Sequence, residues 1–176
     1  MMKKSILVVA VAVLLSSCGF LKNSTSGASS QTSNQQTAVS SQQNAMTSGQ
    51  GAGNALLNLY NQYKADGNKY DYKNMQNALN TVTLLANCEG LKSNYKDKDY
   101  LKDFGKGMVA SSLGLVTQNN VESVTNSLVN MVKDSETVQN TKSSVQEGAS
   151  NAAGYVNTAA QYAGAISSLL SAFGGK

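Results

Sequence analysis

Histidine, tryptophan, proline and arginine are all missing from this 176-residue chain. Without histidine, the commonest general base and the commonest zinc ligand are both gone. Without arginine, the planar fork that reads guanine edges or clamps carboxylates and phosphates is gone too. All fourteen positive charges are therefore lysine. Two of them, Lys3 and Lys4, belong to the extreme amino terminus, which leaves twelve against ten acids for the rest. That surplus is far from the basic footprint of a nucleic-acid binder, and no nucleic-acid partner is expected. The length has room for one domain, or for one domain and a tail.

What is present begins with a targeting pattern. Met1-Met2-Lys3-Lys4 is a short positive start, and Ser5 to Leu15 is apolar but for its first residue. A run of about eleven residues is too short to cross a bilayer, which needs roughly 20, but suits the apolar core of a secretion signal. Leu15-Ser16-Ser17-Cys18 follows and resembles the lipobox of bacterial lipoproteins: an aliphatic residue, two small residues, then the obligatory cysteine. The resemblance covers the signal region alone. It implies residues 1–17 as signal peptide, cleavage between Ser17 and Cys18, and a diacylglycerol on the Cys18 sulfur. An ordinary signal peptide with a chance cysteine is the alternative. Two or more acyl chains anchor stably where one does so only marginally, so the implied partner is a membrane held through lipid. Gly19 after the cysteine resembles the outer-membrane sorting pattern. Ser-Cys-Gly at the junction, in an Arg-free chain rich in Lys, Asn and Ser, is similar to lipoproteins of gut Bacteroidetes. The absence of acids in Gly19-Phe20-Leu21-Lys22 leans towards the periplasmic face.

From Asn23 to Gly53 the chain is almost wholly Ser, Thr, Gln, Asn, Gly and Ala. Such a stretch offers little apolar surface to offset its ordering entropy, so residues 18–53 read as a lipidated cysteine and a disordered tether. Its 31 residues from 23 to 53 would span roughly 30 Å as a coil and roughly 100 Å extended. Gly49, Gly51 and Gly53 lack the preceding strand and following Lys-Ser/Thr of a phosphate loop.

Residues 54–176 are expected to form an all-α, up-and-down bundle of four to five helices, because apolar residues recur there in threes and fours. Ala52, Leu56, Leu59 and Tyr63 mark a first helix, ended by Asp66-Gly67-Asn68. Asp71 is the expected cap of a second, with the stripe Met75, Leu79, Val82 and Ala86 beside Leu85, ending between Gly90 and Asn94. Asp97 or Asp99 caps a third, with Leu101, Phe104, Met108 and Leu115 on one face, and Thr117 to Asn120 is the next break. From Val121 to Phe173 the three-four alternation is sustained through Val124, Leu128, Met131, Ser135, Val138, Lys142, Val145, Ala149, Ala152, Val156, Ala159, Ala163, Ile166 and Leu170, a bundle or coiled-coil seam. Breaks are plausible at Asp134-Ser135 and Gly148-Ala149-Ser150, and Ser144 with Glu147 has capping-box spacing. The Ala-rich end, with Gly154 and Gly164, suggests a close helix pair. A strand over Val121–Val132 is the weaker alternative, since alternation by two fails at Leu128-Val129.

Few residues suggest chemistry, and no catalytic, metal or cofactor site is expected. Cys88 is the one thiol left after acylation and reads as a small buried residue. Lys96 to Asp103 lacks the sixth-position glycine of a calcium loop and reads as solvated charge at a helix start. Ser93-Asn94-Tyr95-Lys96 matches Ser-x-x-Lys without the companion motifs of penicillin-interacting enzymes. Glu89, Glu122 and the Asp97–Asp103 group are the acids a hydrolase would have to use, and nothing pairs them. Tyr70 and Tyr72, in a turn, are a possible interaction surface. Three functions remain: an envelope protein that binds another protein or its own copies, a ligand-binding lipoprotein for a glycan or apolar molecule, and a carboxylate enzyme. The first is favoured.

Overall fold

A computed structural model describes residues 33–133 and 152–174, with side chains from 44 onward. The signal, Ser17, Cys18, the tether up to residue 32, the breaks at 134–135 and 148–150, the Ser144–Glu147 pair and the seam positions Ser135 to Ala149 lie outside the described residues. Among the described residues there are five helices and no strand: α1 (Ser33–Ala65), α2 (Met75–Asn94), α3 (Lys98–Ser111), α4 (Val121–Val132) and α5 (Ala152–Gly174). The protein is an all-α bundle. None of the described helices is long and apolar enough to cross a membrane.

The tether reading needs correction over residues 33–53, which belong to α1. Ala45 and Ala52 are fully buried, and Gly49 and Gly53 are buried with them. The reason is a crossing of α1 and α3 built on missing side chains. A Cβ on Gly49 would overlap the Phe104 carbonyl, and one on Gly107 would overlap the Met46 carbonyl. A Cβ on Gly53 would lie 2.8 Å from the Met108 carbonyl oxygen. Ser111 Oγ donates across the crossing to the Gln50 carbonyl at 2.8 Å. A segment poor in large apolar residues thus buries backbone instead of side chains, a contribution from dispersion that hydrophobicity does not register. At the carboxyl end, where a close pair is also expected, a Cβ on Gly164 would meet nothing within 4 Å, while Ala159 is fully buried in a cluster with Ala78 of α2.

α1 continues on its expected face, with Leu56, Leu59 and Tyr63 buried. It ends where expected, at Gly67 and Asn68, both left-handed (φ 70 and 63), with Asn68 N–H donating to the Tyr63 carbonyl at 2.8 Å. The cap of α2 is Asn74, not Asp71: Asn74 Oδ1 accepts from Gln76 N at 2.9 Å and Asn77 N at 3.4 Å. Asp71 accepts from Lys73 N in the turn before it. The α2 stripe is also corrected. Met75 and Leu79 are exposed, while Ala78, Val82, Leu84, Leu85, Cys88 and Leu91 are buried. α2 is the central helix, packed by α1, α4 and α5, and so is buried round more of its circumference than one amphipathic stripe allows.

Asp97 caps α3, accepting from Asp99 N at 3.0 Å and Tyr100 N at 3.1 Å. Phe104 and Met108 are fully buried, but the helix ends at Ser111, so Leu115 is not on it. The chain turns at Leu113 (φ 48) and Gly114 (φ 85), six residues after Gly107 and ahead of the expected break. Buried Ser112 holds the turn, its hydroxyl accepting from Val116 N at 2.9 Å and donating to the Val116 carbonyl at 3.3 Å. α4 forms where a strand was the alternative, burying Val124, Leu128, Val129 and Val132. α5 buries Ala159, Ile166, Leu170 and Phe173 from the expected seam, adds Tyr155, Tyr162 and Leu169, and leaves Ala152 exposed.

Candidate functional site

The two tyrosines singled out as a surface are engaged in packing. Tyr70 Oη lies 2.6 Å from Thr81 Oγ1 and its ring packs on the main core. Burial pushes its phenol above the ordinary value, the Thr81 bond opposes this, and the Asp71 carboxylate adds to it. Tyr72 packs against a smaller cluster of Ala78, Val82, Tyr155 and Ala159. The tyrosine that the fold leaves exposed is Tyr95, with Lys96 Nζ 5.3 Å from its ring centroid.

Cys88 is fully buried, and burial pushes its thiol well above the ordinary value. Such a setting disfavours the thiolate that a nucleophilic cysteine uses. The acids are dispersed. Asp97 is spent on capping α3, Asp103 accepts from Lys106 Nζ at 2.6 Å, and Glu122 stands on α4. Among the described residues no group of three or more His, Cys, Asp or Glu is placed to hold a metal.

Three surface features stand out among the described residues. The first is a groove of about 870 Å³ between α3 and α4. Leu101, Gly105, Val121 and Thr125 lie along it; Lys96, Lys98, Lys102 and Lys106 border it, and Glu122 is the one acid among the described residues that line it. Gly105 lets α3 and α4 approach beneath it, because a Cβ there would come 2.9 Å from Val121 Cγ2. The second is the end of the bundle near the α3–α4 turn, where Leu113 is 85% exposed beside a depression of about 450 Å³ lined by Leu57, Tyr60, Leu115 and Phe173. Tyr60 and Phe173 meet there edge to face, with centroids 6.0 Å apart. The third is a groove of about 460 Å³ between α4 and α5, with Met131 and Leu169 among small polar residues.

Neither of the first two was assembled from the sequence. Lys98 and Lys102 fell within the Lys96–Asp103 run, which read as solvated charge at a helix start, and nothing in the sequence set α4 opposite them. Leu113 sat inside the expected run of α3, where an apolar residue reads as core; its left-handed backbone turns it outward. No protein-family model, no curated protein and no solved structure matches the chain.

Proposed function

We propose that this chain is a lipid-anchored lipoprotein of the bacterial envelope, held in the outer membrane through Cys18 and facing the periplasm, whose helical bundle docks to another envelope protein or to its own copies. The anchor is supported by the lipobox-like junction at Leu15 to Cys18. The docking role is carried by Leu113. A large aliphatic side chain is held in a left-handed backbone conformation that costs roughly 1–2 kcal/mol, and it is held there exposed. Folding gains nothing from that placement, and covering such a side chain on binding contributes about 1.5–3 kcal/mol. The depression beside it, edged by Tyr60 and Phe173, offers an aromatic-lined seat for an apolar side chain.

The test is copurification of the full-length lipoprotein from its native envelope, wild type against Leu113→Ser. Recovery of one defined partner or of an oligomer that Leu113→Ser loses is the expected result. Recovery of the same species with both chains ends the docking role of this turn. A second reading, a ligand-binding lipoprotein, is favoured by the α3–α4 groove.

A further inference from the structure

Resting on that ligand-binding reading, we infer that the α3–α4 groove binds a single-chain amphiphilic anion, its phosphate or carboxylate on Lys98 and Lys102 and its apolar chain along Leu101, Gly105 and Val121. The groove has two different linings. Along its floor Leu101 and Val121 are half-buried apolar residues with the missing side chain of Gly105 between α3 and α4. Along its α3 wall the charges are of one sign, and Asp99 and Asp103 are not among the residues that line it.

The lysines differ in how far they are neutralised. Lys106 is paired with Asp103, and Lys96 lies over the Tyr95 ring. Lys98 and Lys102 form no ion pair among the described residues. They stand four apart on one helix face, where like charges repel. Lys98 is moreover the first residue of α3, where the helix dipole is already positive and an acid is the favourable choice. Local helix electrostatics thus disfavours a cation at Lys98, and departures from a local rule are expected at functional positions. An anion seated between the two ammoniums relieves the repulsion, and a chain laid on Leu101 and Val121 covers apolar surface that the fold leaves wet. A volume of about 870 Å³ is within the range of small-molecule sites. Glu122, on the α4 side, is the one lining charge that an anion must approach against.

The test uses the full-length lipidated protein in its native envelope and a decyl phosphate carrying a photoreactive diazirine on its chain. The matching uncharged decanol probe is the control. Crosslinked peptides are mapped by mass spectrometry. Expected is labelling concentrated at Leu101, Val121 and their neighbours, competed by unlabelled decyl phosphate and not by inorganic phosphate at the same concentration. Lys98→Gln with Lys102→Gln should lower that labelling about tenfold, two exposed charge contacts at the upper end of their usual worth. Glu122→Gln should raise it. Both variants change exposed side chains, so unaltered helical circular dichroism is expected and is measured alongside. Labelling equal with decanol, or competed by inorganic phosphate, overturns the amphiphilic anion. Labelling concentrated at another groove overturns this site while leaving a ligand-binding protein. Labelling spread evenly over the exposed surface means adsorption at the membrane and overturns both. None of these outcomes bears on copurification through Leu113.

Discussion

Alanine in place of glycine inside a helix ordinarily stabilises it by up to about 1 kcal/mol, because glycine loses more backbone freedom on folding. The α1–α3 crossing reverses that sign. At Gly107 an added methyl meets the Met46 carbonyl, Gln50 N 2.8 Å away and Gly49 C 3.0 Å away, all backbone atoms of a helix that cannot rotate aside. The two helices must separate, and overpacking of a close contact costs typically 1–3 kcal/mol. With backbone as the neighbour the upper end applies, so the net effect of Gly107→Ala is a loss of about 2 kcal/mol after the propensity gain. Gly164 provides the comparison, for it is exposed in α5 with nothing within 4 Å of its Cβ position. Gly164→Ala should stabilise by about 0.5–1 kcal/mol. Thermal unfolding followed by circular dichroism at 222 nm reads both, and in a domain of this size the midpoint temperatures should diverge by about 10 °C. Equal stabilisation by the two substitutions would refute the close crossing. It would return residues 44–53 to the status of a tether.

Three further outcomes follow from single residues. Because burial raises the Cys88 thiol, the unfolded chain releases that proton first as pH rises; stability is complete below the thiol's ordinary value near 9.0 and falls above it, by at most about 1.4 kcal/mol per pH unit. Cys88→Ala should flatten urea midpoints between pH 8.5 and 10, and an unchanged slope would assign the effect elsewhere. Leu113→Gly should raise stability by about 1 kcal/mol by relieving the left-handed backbone; a loss would mean that Leu113 serves the fold and would remove the case for docking. Cys18→Ser should leave a full-length precursor without incorporated radiolabelled palmitate, whereas normal processing of that variant would sink the lipoprotein reading.

Outside α2, helical spacing was legible at most of the large apolar residues that carried it. Leu56, Leu59 and Tyr63 in α1, Phe104 and Met108 in α3, and Val124, Leu128, Ile166 and Leu170 further on are buried in the period in which they recur. Stops made by local chemistry were legible as well: Gly67 and Asn68 close α1, and Asp97 caps α3, because a turn or a cap needs only its own neighbours. The α2 stripe was misplaced, since the number of helices packed on α2 is not a property of α2. The groove was invisible for the same reason. Three of its lysines lie on α3 and its acid on α4, and only the approach of those helices across Gly105 makes one surface of them.

The amino-acid order alone determined that this chain folds as helices, where most of them turn, and that its chemistry must do without imidazole and guanidinium. Tertiary structure decided that the glycine- and serine-containing residues 44–53 join the bundle, because backbone meeting backbone at Gly49, Gly53 and Gly107 leaves no mark in hydrophobicity. It likewise decided which lysines share a groove and that Leu113 faces outward, since both depend on atoms far apart in the chain or on a backbone angle that side-chain character does not reveal.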